Sequence, residues 1–253
     1  MKVICSPDFV SLIEDEIELR AVKLYESLEI TLYENDRYEF SFSVAVKLDL
    51  LKFFEFVKSE KVVKKLKEIF THNRFENHKE KVQRRIRDIV ESDKKVDAEK
   101  ELNKIIRFLD NDASRQNKIS EIFASFDKLG DWEYMCKLIG DKLVILFRIQ
   151  GWNQRDSENY ICVVGKDDAI IRKSKGNSLI TIHDVIMKGK LEKLNKLREI
   201  DERDVKSLCK EGSRALGKGK IKSPSFFLKS LALEYGGKEY YDSLLSYLIA
   251  KGL

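Results

Sequence analysis

The residues best placed to do chemistry lie between Arg203 and Lys229. Eight basic residues, Arg203, Lys206, Lys210, Arg214, Lys218, Lys220, Lys222 and Lys229, stand there against only Asp204 and Glu211. Within this segment Gly212, Gly217 and Gly219 make the chain too polar and too permissive for a core, and glycine lets backbone amides and lysines approach phosphate closely. Arg214, Lys218, Lys220 and Lys222 are therefore the expected phosphate contacts of a nucleic-acid-binding loop, the alternative being an exposed basic connector. Hydrolysis of a nucleoside triphosphate is not expected. Gly217 does precede Lys218, but Gly219 occupies the position where Ser or Thr would hold magnesium, and no strand leads into the segment.

A second basic group is formed by Lys79, Lys81, Arg84, Arg85 and Arg87. On a helix Lys81, Arg84 and Arg85 share a side opposite Val82, Ile86 and Ile89, a stripe able to follow a phosphate backbone. Because Glu80, Asp88 and Glu91 are interspersed, pairing along the helix is the competing expectation. Trp152, with Arg155 close behind, sits between two expected strands, where an exposed ring could stack on an unpaired base; packing under its own loop is the commoner role.

Catalytic patterns are sparse. Asp131, Glu133 and Asp141 bracket strands as the carboxylates of metal-dependent nucleases do, yet the strand Leu143–Gln150 carries Arg148 and no carboxylate, so turn capping is the simpler expectation for Asp131 and Asp141. His72 and His78 are six apart and fall on different sides of a helix, which disfavours zinc. There is no Gly-x-Ser-x-Gly elbow, and Cys5, Cys136, Cys162 and Cys209 form no CxxC pair and read as buried thiols. No metal or cofactor is expected.

The elements that must position these residues follow from periodicity. Val3–Cys5 reads as a strand. Phe9, Ile13, Ile17, Ala21, Leu24 and Leu28 recur at helical spacing after Ser6-Pro7-Asp8, and Ile30–Tyr33 and Tyr38–Val46 flank Glu34-Asn35-Asp36 as a hairpin. The N-terminal unit is thus expected to be β-α-β-β. From Leu48 to about Gly130 the period is helical, with breaks expected near His72–Asn77, Ser92–Lys95 and Asp110–Ser114. Trp132–Ser174 changes to short apolar runs separated by Gly and Asp, an antiparallel meander, and Ser178–Met187 adds a possible further strand. Leu191, Leu194, Leu197, Val205 and Leu208 mark a helix, and two more close the chain around Gly236-Gly237. That last pair resembles a helix-turn-helix, although Asp242 stands where such motifs want an apolar residue, so a helical hairpin closing the core is expected. The whole reads as α+β, in parts 1–130 and 131–253 that could form one compact domain.

Charge is segregated. Of 253 residues 36% are charged, and residues 1–60 hold seven basic against thirteen acidic side chains while the net charge of the chain is +5. A basic bulk with an acidic N-terminal region suits phosphate on one surface and a protein partner on another. Richness in Lys, Glu and Ile with two prolines suggests a thermophilic source. The absence of a long apolar run or a signal-peptide pattern suggests a cytoplasmic protein without a membrane span. The expected function is a non-catalytic nucleic-acid-binding (DNA or RNA) or complex-assembly protein. A metal-dependent nuclease is the first alternative and a structural subunit with solvated charge the second.

Overall fold

The computed structural model describes residues 1–92, 97–151, 157–215 and 224–253. They divide into two compact units, Met1–Gln116 and Asn117–Leu253. The class is α+β: N-terminal strands, central helices, a strand meander and C-terminal helices follow in that order.

In the first unit β1 (Lys2–Cys5), β2 (Phe9–Glu14), β3 (Ile17–Leu24), β4 (Ser27–Glu34) and β5 (Arg37–Ala45) form an antiparallel sheet in sequence order. The helix expected between Phe9 and Leu28 is instead strands β2 and β3 and the start of β4. Its apparent helical period draws from both faces of the sheet: Leu19 opposite Leu12 and Ala21 opposite Ile30 point to the core, whereas Phe9 and Ile13 share the other face with Val22. Two-residue turns recur every ten residues, with Asp15, Tyr25, Asn35 and Asp36 at positive φ. At Asn35-Asp36 both residues are left-handed, the geometry whose twist matches a hairpin.

Helices α1 (Leu50–Val57), α2 (Glu60–Phe70), α3 (Phe75–Val90) and α4 (Ala98–Ala124) follow. Asp49 caps α1 by accepting from the amides of Leu51 and Lys52. Phe53, Phe54, Leu66 and Ile69 are completely buried with Phe40 and Phe42 of the sheet, and Phe42 stacks on Phe70 at 4.0 Å. Each such ring or branched chain contributes about 1.5–3 kcal/mol by leaving water. No break occurs at Asp110–Ser114, where α4 runs through. The short polar side chains that would compete for its backbone are engaged elsewhere: Asp110 meets His72 at 3.3 Å, and Asp112 accepts from Arg74 at 2.8 Å.

In the second unit β6 (Asp127–Leu129), β7 (Trp132–Ile139), β8 (Lys142–Ile149), β9 (Glu158–Val164), β10 (Ala169–Lys175) and β11 (Arg198–Glu199) form an antiparallel sheet, again in sequence order. The expected strand at Ser178–Met187 is helix α5 (Leu179–Met187), entered through a 3-10 turn, with Leu179, Ile182 and Ile186 buried on one side. The single helix expected from Leu191 to Leu208 is a 3-10 turn over Leu191–Lys196, strand β11 and then α6 (Glu202–Ala215). Helices α7 (Pro224–Gly236) and α8 (Lys238–Ala250) form the expected hairpin. Phe227, Leu228, Leu231, Leu244 and Leu248 pack with Trp132, Phe147 and Tyr160 on one sheet face. Ile122 and Phe126, α5 and Leu194 pack with Val144, Leu146 and Ile161 on the other. Strand β8 is therefore buried on both sides, which is why Leu143–Phe147 within it is a continuous apolar run.

Candidate nucleic-acid interface

Helix α6 is built to show charge on one side. Asp201 starts it by accepting from the amides of Arg203 and Asp204, and Asp204 reciprocates by accepting from the amide of Asp201 at 3.0 Å. Asp204, Leu208 and Gly212 face inward and are buried. The opposite side then carries Arg203, Lys206, Lys210 and Arg214, spaced three, four and four residues apart and all exposed. At 1.5 Å per residue this stripe is about 16 Å long. Among the described residues no carboxylate pairs with the side chains of Arg203, Lys206 or Lys210, and Arg214 has only a 3.8 Å approach from Glu211. Asp204 is spent elsewhere, on Lys173 at 2.8 Å and Arg198 at 2.7 Å.

Gly212, in the last turn of α6, lies against Pro224 at the start of α7. A Cβ at this position would press on the Pro224 ring, lying 2.7 Å from its Cδ, so the glycine allows the first turn of α7 to seat against the last turn of α6. Lys218, Lys220 and Lys222, the remaining expected phosphate contacts, lie outside the described residues. So do Trp152 and Arg155. Gly212, which has the spacing to Gly217-Lys218 of a nucleotide-binding loop, sits inside a helix where that loop requires the exit from a strand.

Arg84 and Arg85 are placed on the exposed side of α3, together with Lys81. The expected pairing along the helix is found only at Lys79 with Glu76, at 3.5 Å; Lys81, Arg84, Arg85 and Arg87 have no ion pair among the described residues. Lys81 and Arg85 lie instead over the ring of Phe108 on α4, at 4.1 and 5.4 Å. Sequence reasoning missed Phe108 and Arg107 because the antiparallel pairing of α3 with α4 decides what faces Arg85. That pairing runs through Asp110 and Asp112, whose contacts with His72, Arg74 and His78 also account for both histidines.

The carboxylates Asp131, Glu133 and Asp141 are not brought together. Asp131 and Asp141 are exposed at opposite ends of the eight-residue strand β7, separated by about 26 Å at strand rise. They cannot share a metal ion. Glu133 is 5% exposed and stands directly opposite Arg148, 3.7 Å away and equally buried. Arg148 is in turn opposite Asn159, and Asn159 opposite Ser174, so one polar row crosses four strands. Burial pushes the Arg148 guanidinium below its ordinary range, with Glu133 acting against the shift. Among the described residues no group of three or more His, Cys, Asp or Glu could hold a metal ion. Cys162 is buried and Cys136 partly so, its thiol pushed up to about 12 by burial; Cys5 is exposed, contrary to expectation, because β1 is an edge strand.

Among the described residues no helix is long and apolar enough to cross a membrane. No protein-family model, no curated protein and no solved structure matches the chain.

Proposed function

We propose that the protein binds the phosphate backbone of a nucleic acid as a non-catalytic binding or assembly factor, with helix α6 as its principal contact. The observation that carries this reading is the line of Arg203, Lys206, Lys210 and Arg214. These four exposed cations share one side of a single helix, and among the described residues three have no carboxylate partner and the fourth only a 3.8 Å approach from Glu211. The sequence continues the basic character through Lys218, Lys220 and Lys222. Point charges and guanidinium forks on an exposed helix suit a backbone of regularly spaced phosphates and carry no base preference of their own. The Lys81, Arg84 and Arg85 side of α3 offers the first unit a similar surface. The acidic N-terminal strands, which repel phosphate, are left to a protein partner.

Anisotropy titrations of labelled single- and double-stranded DNA and RNA over a range of NaCl concentrations test the reading. The variant R203A/K206A/K210A/R214A should bind more weakly, with the slope of log affinity against log salt shallower by about 0.9 for each duplex phosphate that the variant no longer neutralises. Its Tm should stay close to that of the parent, since exposed charges contribute little to stability. Wild-type affinity and slope in the variant would remove α6 from the interface. Cleavage of the probe on adding magnesium or manganese would overturn the non-catalytic reading.

A further inference from the structure

We infer that the groove between α3 and α4 is a binding site for a nucleoside monophosphate unit. It encloses about 740 Å³, a volume in the range of small-molecule sites. Ile89, Ile105 and Phe108 contribute its apolar surface, Arg85 and Arg107 stand on the two helices, and Asp88 and Asn111 add an acceptor and an amide. Of its other charged groups, Glu101 and Lys104 are closed on each other at 2.5 Å. Arg85 and Arg107 have no carboxylate partner among the described residues, so an anion meets two guanidiniums whose charge no carboxylate neutralises.

Phe108 decides what kind of anion fits. Its ring is covered by Lys81 and Arg85 at 4.1 and 5.4 Å. A cation over a partly buried ring is held less strongly than a guanidinium bonded to phosphate, so a phosphate at Arg85 and Arg107 draws the cations aside. The ring face so uncovered is a stacking surface for a base. Asp88 and Asn111 then meet donors and acceptors of the base edge or ribose. Inorganic phosphate alone would leave the apolar surface unused, and a purely apolar anion would leave Asp88 and Asn111 without partners. The same unit occurs as a free nucleotide or as the phosphorylated end of a strand.

The site shares no residue with the α6 stripe, so each can fail without the other. Calorimetric titration of the full chain with adenosine 5′-monophosphate, adenosine and inorganic phosphate addresses the free nucleotide. Titration of the R203A/K206A/K210A/R214A variant with an oligonucleotide bearing a 5′-phosphate or a 5′-hydroxyl addresses the strand end. Saturable binding of the monophosphate at least tenfold tighter than of adenosine or phosphate supports the free ligand; tighter binding of the phosphorylated oligonucleotide supports the strand end. In either case R85A/R107A should lose at least tenfold, and F108L should weaken nucleotide more than phosphate, with Tm checking that both variants are folded. If neither probe shows a preference for the complete phosphorylated unit, or if R85A/R107A binds as the parent does, the site is overturned.

Discussion

At the scale of single residues the pair Glu133–Arg148 shows how a sheet can hold charge in its interior. Gln150 donates to Glu133 at 2.7 Å, and Phe123 lies under the guanidinium at 4.6 Å, but the second carboxylate oxygen of Glu133 and Nε of Arg148 have no hydrogen-bond partner among the described residues. Two charges so placed gain attraction at low dielectric and lose hydration, and the two terms nearly cancel. Removing one partner is a different matter. E133Q should cost about 3–5 kcal/mol in urea unfolding because it strands the arginine, whereas E133L/R148M should be near neutral or stabilising. A double variant as unstable as the single one would show that the polar row contributes more than its pairwise balance.

At the scale of elements, the end of α6 is the place where one hydrogen atom matters. Gly in a helix interior is ordinarily worse than Ala by about 1 kcal/mol, so Gly212→Ala would stabilise an isolated α6. Here the added methyl meets the Pro224 ring, which cannot swing away as a long flexible chain would. Overpacking of this kind costs about 1–3 kcal/mol, so the expected sign is reversed. A lowered urea midpoint with an unchanged slope would confirm the close seating of α7 on α6; a raised midpoint would show that α7 shifts freely. Helix α4 illustrates the opposite balance. Asp110, Asn111, Asp112 and Ser114 favour a break locally, but the contacts of Asp110 and Asp112 with His72, Arg74 and His78 hold those carboxylates in tertiary pairs and the helix continues.

At the scale of the whole molecule the carboxylates set the response to acid. Asp204 is one case: burial alone would raise its pKa, but hydrogen bonds from Lys173, the Asp201 amide and Arg198 hold it below its ordinary value. Asp112 is lowered likewise, burial being outweighed by His78 and Arg74. A carboxyl whose folded pKa is depressed contributes stability that is present above its unfolded pKa, about 4, and lost as pH falls through the folded value. Stability attributable to these groups should therefore persist to about pH 5 and decline below it, measured by thermal unfolding across pH. D204N should be less stable near neutrality and show a shallower acid decline; an acid limb as steep as the parent's would exclude Asp204 as a contributor. The exposed pairs, such as Glu60 with Lys64, are screened by solvent and add little.

Local pattern determined much of the molecule. Asn35-Asp36 between two β-rich runs is a turn because both residues tolerate positive φ, the run Leu143–Phe147 is a buried strand because it is apolar on both parities, and Gly236-Gly237 separates two helices. The basic character of Arg203–Lys229 was equally legible, and spacings of three and four residues placed Arg203, Lys206, Lys210 and Arg214 on one side once α6 was known to be a helix. Tertiary structure decided the rest. Phe9–Leu28 forms strands β2 and β3 and the start of β4 because sheet pairing and ten-residue turn spacing outweigh an i, i+4 coincidence. Arg85 lies over Phe108 and lines one groove with Arg107, and Glu133 faces Arg148, only because helix pairing and strand register join residues that are distant in sequence. Those contacts depend on which partner arrives, and residue type along one segment carries no record of that choice.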